Sequence, residues 1–170
     1  ARHSSPGSSG AKGPPVRPRA VILRRMGPSE LFEPDDLVLG FDPADKWEAI
    51  HSLVDHLVDR GRLAPDAVDT VREAVLARER SMSTGMELGV AIPHAAVDNL
   101  PEIVGAMGVV QRDGGLDFES IDGQPTSVVV LLVIPKAQKL LHIRTLADIA
   151  RVLAKESVRE RLLGTSDVEE

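Results

Sequence analysis

The sequence of 170 residues contains no cysteine and no tyrosine, and aromatic residues make up only 2% of it. Without cysteine, neither a disulfide framework nor a thiolate metal site can form, which suits the reducing cytoplasm. So few aromatic rings exclude the stacking platform on which many proteins bind single-stranded nucleic acid. No apolar run approaches the roughly 20 residues of a membrane-spanning helix. We therefore expect a cytoplasmic protein with no membrane insertion.

Charge is distributed unevenly along the chain. Six of its 20 basic residues precede the first acidic residue, Glu30, and the remaining 14 are outnumbered by 26 acidic residues. An acidic body argues against nucleic acid as a partner, because neutralisation of phosphates drives most of that affinity. Residues 1–28 are basic and rich in Ser, Gly and Pro, and we predict a disordered leader or linker there. Residues 29–170 are long enough for a single domain with its own core.

Four segments have the pattern of amphipathic helices: residues 42–61, about 65–80, 137–155 and 156–164. In the first segment, Asp42 is a candidate N-cap, Pro43 suits the first helical position and Gly61 suits the stop. A capping box at residues 166–169 opens one further helix, which predicts that the natural chain continues beyond residue 170.

Three short apolar runs lie between these helices and have the length and β-branched content of strands: residues 89–92, 103–110 and 127–135. The last run has no polar alternation, which indicates burial on both faces. Helices before and after a group of strands predict an α/β or α+β fold, with a central sheet covered by helices on both faces.

Two histidines stand in apolar surroundings. His94 follows the first of these predicted strands, and His142 lies on the apolar stripe of the third predicted helix, near its start. For each residue alone, a hydrogen-bonded structural histidine is the alternative. Together with Arg78 and the hydroxyl groups of Ser83 and Thr84, they predict an anion site.

Such a site suits phosphoryl chemistry. A neutral imidazole attacks phosphorus through one ring nitrogen while a hydrogen bond holds the other. The product is a dianion that needs donors, which Arg78 and a neighbouring hydroxyl group supply, and His142 stabilises its oxygens. A metal site built from His94, His142 and Asp148 is the weaker alternative, because no close two-ligand motif such as H-E-x-x-H is present.

Residues 30–170 resemble the enzyme IIA component of the fructose, mannitol and nitrogen-regulatory branch of the phosphoenolpyruvate-dependent phosphotransferase system. The most specific matches are "RE" at 78–79, "STG" at 83–85, "AIPH" ending at His94, and the histidine that opens a helix, His142. The resemblance implies a mixed, roughly five-stranded sheet sandwiched by helices, as in mannitol-type enzyme IIA. It also implies that no metal or organic cofactor is needed.

The resemblance assigns roles to three residues. His94 accepts a phosphoryl group from a histidine phosphocarrier protein, His142 is its companion, and Arg78 is the phosphate-binding cation. The acceptor is either a sugar-specific IIB partner or, in a regulatory module of the same fold, a target protein controlled by the phosphorylation state. The sequence departs from the family at Ala95 and Ala96, where many relatives have a small residue and then a basic one. It also has Leu88 where many have a polar residue.

Overall fold

The computed structural model describes residues 31–165 and contains, within that range, five β-strands and four α-helices. The strands are β1 (Leu37–Phe41), β2 (Val90–Ala91), β3 (His94–Val97), β4 (Val104–Val110) and β5 (Val128–Pro135). The helices are α1 (Lys46–Asp59), α2 (Val68–Ser81), α3 (Lys139–Leu153) and α4 (Glu156–Gly164). Short 3₁₀ turns at Pro34–Asp36 and Pro65–Ala67 precede β1 and α2. The predicted leader and the capping box at 166–169 lie outside the described residues.

The sheet is mixed and is organised around β5. β4 pairs with β5 antiparallel on one side, and β2 and β3 pair with it parallel on the other. β1 pairs parallel to β4 at the far edge. Every residue of β5 is buried, as the unbroken apolar run predicts for a strand covered on both faces. The predicted five-stranded mixed sheet is therefore confirmed.

Helices cover both faces of the sheet. On one face, α1 and α2 contribute fully buried side chains such as Ile50, Leu53 and Val75 to the larger core cluster. On the other face, Ile149 and Leu153 of α3 pack against the sheet, and side chains of α4 pack around them. Successive side chains of a strand point to opposite faces of the sheet, and each face is covered by one of the two cores. This is why β5 carries apolar residues at every position.

The first helix begins three residues later than its sequence signals predict. Asp45, and not Asp42, is the N-cap of α1, because its side chain accepts a hydrogen bond of 2.8 Å from the backbone N–H of Glu48. Asp42 instead forms an ion pair of 3.0 Å with Arg112. Gly61 has a φ of +65° just beyond the helix, as expected for a glycine stop.

Candidate active site

His94 lies where the strand at one edge of the sheet is interrupted. β2 pairs with β5 as far as Ala91 opposite Val129, and β3 resumes in the same register with His94 opposite Leu132. Pro93 has no backbone N–H and interrupts the strand. The predicted strand ends before His94, as expected, but the sequence analysis did not predict the second strand, β3, which begins at His94.

The structure brings the two predicted histidines together. Ala95 and Val97 pack into the core beside α1 and α2, so His94, one position earlier on the strand, faces the α3 side of the sheet. His142 lies in the first turn of α3. The two rings meet edge to face, with centroids 5.4 Å apart and an interplanar angle of 76°. Both side chains are half-buried.

A backbone hydrogen bond fixes the protonation pattern of the His94 ring. Nδ1 of His94 lies 2.7 Å from the carbonyl oxygen of Ile92. Because a carbonyl oxygen only accepts, Nδ1 must carry the proton, and in the neutral ring Nε2 then holds the free lone pair. His94 is thus held as the tautomer whose nucleophilic nitrogen is Nε2.

Arg78, in the last turn of α2, adds a positive charge to this site. Burial lowers the pKa of His94 below its ordinary value of 6.5, and the charges of Arg78 and His142 lower it further. The hydrogen bond to Ile92 and the charge of Glu79 act in the opposite direction but do not cancel the decrease. Burial and Arg78 likewise lower the pKa of His142. Both decreases favour the neutral form of the ring at pH 7.

An open cleft of about 340 Å³ lies beside the His94 ring. Its lining combines side chains from the end of α2, the following loop, the strand break and α3: Arg78, Ser83, Thr84, Gly85, Met86, Ile92, His94, Ile121, Leu146, Ala147 and Ala150. Most of these side chains are apolar. A group bound at Nε2 would therefore meet a largely apolar wall and a small number of polar side chains.

Ser83 and Thr84 line the cleft, but the protons of both hydroxyl groups are donated elsewhere. Ser83 Oγ donates to the carbonyl oxygen of Phe118, and Thr84 Oγ1 donates to the carboxylate of Glu79. A hydroxyl has one proton to donate. In this geometry neither hydroxyl can donate to a phosphoryl group, so the predicted phosphate contacts are not formed by these side chains as they stand.

Two charged residues that are linked to Thr84 on the cleft wall were not among the predicted site residues. Glu79 is 2% exposed, and its carboxylate lies 3.3 Å from Nζ of Lys46, which is 7% exposed. A signal for Glu79 was available, because it follows Val71 and Val75 at the same helical spacing and so lies on the buried stripe of α2. A carboxylate on such a stripe requires a buried partner.

Two of the three departures from the family lie on the strand that carries His94. Ala95 is buried against α1 and α2, whereas Ala96 is exposed on the same strand face as His94. Ala96 is therefore the position at which a longer side chain would reach the rim. Leu88 is 50% exposed and has a φ of +64°, and its backbone N–H donates a 3.0 Å hydrogen bond to Asp122.

Within residues 31–165, no three His, Asp or Glu side chains are close enough together to hold a metal ion between them. Asp148 instead forms a 2.7 Å ion pair with Arg151 on its own helix. In the same range, no helix has the length and apolar character to cross a bilayer.

The model of the family described as "Phosphoenolpyruvate-dependent sugar phosphotransferase system, EIIA 2" matches residues 30–170. The chain belongs to this family. The fructose-specific EIIA component of the phosphotransferase system from Haloferax volcanii is 36% identical over 121 residues, which cover 71% of this chain and 76% of that protein. Membership in this enzyme IIA family supports a general role in phosphoryl transfer.

Two solved enzyme IIA structures share the fold. The nitrogen regulatory protein IIA-Ntr from Neisseria meningitidis superposes with a TM-score of 0.72 at 27% identity, covering 82% of this chain and 92% of that one. The mannitol IIA protein from Escherichia coli gives a TM-score of 0.66 at 27% identity, covering 81% and 94%. The fold predicted from the resemblance is thus confirmed.

Proposed function

We propose that His94 is phosphorylated at Nε2 and passes the phosphoryl group to a protein acceptor. The observation that carries this proposal is the hydrogen bond from Nδ1 of His94 to the Ile92 carbonyl oxygen, because it leaves the lone pair on Nε2. The lowered pKa of His94 supports it, since only the neutral ring is a nucleophile.

The transfer step needs no proton donor or acceptor at Nε2. The lone pair of Nε2 attacks the phosphorus of a phosphohistidine on the carrier. A nitrogen–phosphorus bond forms at His94 while the donor's nitrogen–phosphorus bond breaks, and that electron pair returns to the donor imidazole. Onward transfer follows the same route with a new acceptor. Catalysis then consists mainly of positioning and charge stabilisation.

Two side chains are proposed to stabilise the transferred group. The guanidinium of Arg78 offers planar paired donors suited to phosphoryl oxygens. One terminal nitrogen of Arg78 donates a 2.8 Å hydrogen bond to the Met82 carbonyl oxygen. Since a guanidinium has five N–H donors, this bond leaves donors for a phosphoryl group. His142 lies close enough for a ring N–H to contact a phosphoryl oxygen. Ser83 and Thr84 would contribute hydroxyl protons only after exchanging their present acceptors.

The proposed donor is a histidine phosphocarrier protein. The proposed acceptor is a sugar-specific IIB partner, and the similarity to the fructose-specific protein of Haloferax volcanii favours this reading. A regulated target protein is the second candidate, favoured by the similarity to IIA-Ntr. The site chemistry is the same in both cases. Transfer from the phosphorylated protein to a purified fructose-type IIB domain would support the first, and phosphorylation-dependent binding of a target without transfer would support the second.

Labelling tests the nucleophile. With phosphoenolpyruvate labelled on its phosphorus, enzyme I and the phosphocarrier of the source organism, we expect one acid-labile, base-stable label. His94→Ala should abolish it, while His51→Ala, at an exposed position on α1, should leave it unchanged. Arg78→Ala should slow it. Label that persists in His94→Ala, or a wild-type protein that takes up none, would refute the proposal.

A further inference from the structure

The buried pair of Lys46 and Glu79 has no role in the proposed chemistry. Nζ of Lys46 lies 3.3 Å from Glu79, also bonds the carboxylate of Glu119, and sits 4.9 Å from the centre of the Trp47 ring. Burial lowers the pKa of Lys46, but its hydrogen bonds to Glu119 and Glu79 and the negative charges of both carboxylates together raise it by more, so Lys46 is charged. A buried ion pair is often replaceable by apolar residues without loss of stability. Stability alone therefore does not explain this pair, and its contacts with neighbouring groups indicate what it positions.

Glu79 holds the loop that follows α2. Its carboxylate accepts the backbone N–H of Thr84 at 3.1 and 3.2 Å, and it also accepts the Thr84 hydroxyl proton. Lys46 neutralises the same carboxylate from the side of α1. The position of Thr84 therefore depends on two charged groups that are fixed in different helices.

The contact with Glu79 takes the N–H of Thr84 away from a backbone hydrogen bond that the neighbouring strand pairing would predict. Gly85 and Ala91 form an antiparallel bridge, and the N–H of Ile92 donates to the carbonyl of Thr84 at 3.1 Å. In a regular antiparallel pair, the N–H of Thr84 would donate back to the carbonyl of Ile92. It donates to Glu79 instead.

The diverted bond leaves the Ile92 carbonyl oxygen for His94. That oxygen accepts the proton of Nδ1 at 2.7 Å. If Thr84 were not held by Glu79, its N–H would donate to the Ile92 carbonyl as in a regular pair. The oxygen can accept both hydrogen bonds, but sharing it between two donors weakens the bond from Nδ1. A ring whose Nδ1 is held less firmly places its proton more readily on Nε2, where it blocks nucleophilic attack.

We propose that Lys46 and Glu79 are positioning residues for His94: by holding the N–H of Thr84, they reserve the Ile92 carbonyl for Nδ1 and keep Nε2 unprotonated. Neither side chain touches the phosphoryl group. The inference rests on the proposed function, because a fixed tautomer matters only if Nε2 is the nucleophile. Shifts of about 1 Å at a reacting group are known to reduce rates by roughly 100-fold.

The test uses the double variant Lys46→Met/Glu79→Leu, which removes both charges and the acceptor of the Thr84 N–H at similar volume and leaves no buried charge unpaired. Glu79→Asp is a second variant that retains the charge, but its shorter side chain cannot reach both Lys46 and Thr84. The control is Arg62→Met, three residues beyond the C-terminal end of α1. It breaks an ion pair of 3.6 Å with Asp36, which is 1% exposed.

The first measurement is the ¹⁵N spectrum of the His94 imidazole in unphosphorylated protein. We expect the Nδ1–H tautomer in the wild type and in Arg62→Met, and a mixture of tautomers in the double variant and in Glu79→Asp. The second is the single-turnover rate of transfer from the phosphocarrier, which should fall about 10- to 100-fold in the same two variants, with melting curves recorded in parallel.

The outcomes separate this inference from the proposed function. The tautomer spectrum requires no phosphocarrier. A wild-type protein that takes up no phosphoryl group would therefore refute the proposed function, while the positioning of the His94 ring could still be measured. Wild-type tautomer signals in both Glu79 variants would overturn the inference. So would a fall in transfer rate in Arg62→Met as large as in the double variant, because the loss would then follow from lowered stability.

Discussion

Leu88 has a backbone conformation that suits asparagine better than leucine. Its φ of +64° lies in the left-handed region, which costs a residue with a bulky side chain roughly 1–2 kcal/mol and which asparagine adopts more readily. Its side chain is 50% exposed, so substitution by asparagine forfeits about half of a full leucine burial, or roughly 0.7–1.5 kcal/mol. Leu88→Asn should therefore change the free energy of unfolding by no more than about 1 kcal/mol.

Leu163 provides a matched control. It is 49% exposed but lies in α4, where the backbone is right-handed. Leu163→Asn loses a similar burial and, in addition, about 0.5 kcal/mol of helix propensity, with no strain to relieve. Adding the strain to the propensity difference, Leu88→Asn should be more stable than Leu163→Asn by roughly 1.5–2.5 kcal/mol.

Urea denaturation followed by circular dichroism measures this difference at a common m-value. In thermal melts, the same difference corresponds to a melting temperature higher by roughly 3–10 °C for Leu88→Asn. If the two variants differed by only about 0.5 kcal/mol or less, helix propensity alone would account for the difference and Leu88 would carry no strain. The argument from its φ would then be refuted, whatever the absolute stability of either variant.

Three further predictions concern the site. Burial lowers the folded-state pKa of His94 and of His142 below 6.5, so the unfolded chain binds protons first as the pH falls. Urea titrations from pH 8 to 5 should show a constant free energy of unfolding above about pH 7. Below that pH it should decrease through 6.5 and level off once the pH has passed the folded-state pKa of both histidines. His142→Ala should still label but transfer the group roughly 100-fold more slowly in quenched-flow assays, and an unchanged rate would exclude its stabilising role. Gly85→Ala places a Cβ 2.6 Å from the Phe118 carbonyl oxygen and should cost about 1–3 kcal/mol in denaturant titrations, whereas Gly164→Ala, with open space around it, should cost little.

The sequence predicted the layers of the fold because each layer follows from a local pattern. The apolar stripe of α1 and the unbroken run of β5 identify their buried faces directly. The predicted range 156–164 coincides with α4, and 137–155 exceeds α3 by two residues at each end. The N-cap of α1 was missed because two aspartates precede the helix, and only the geometry decides which of them reaches an open N–H.

The site was less predictable than the fold. That His94 and His142 would be neighbours depends on which face of the sheet α3 covers, and no local pattern in the sequence specifies that. Ser83 and Thr84 were predicted to bind phosphate and do line the cleft, but residue type does not reveal that other acceptors already take their hydroxyl protons. Glu79 could have been recognised from its helical spacing, although its partner Lys46 could not.

The neutral state of His94 results from opposing effects, and this links the fold to the chemistry. The hydrogen bond to Ile92 fixes the useful tautomer, but by itself it favours the protonated ring and raises the pKa. Burial against the α3 layer and the charge of Arg78 act against it and keep the ring neutral. A fixed tautomer alone would therefore give a site that loses its nucleophile more readily as the pH falls. Arg78 consequently has two effects in the proposed mechanism: it holds His94 unprotonated before transfer and provides a cation for the dianion afterwards.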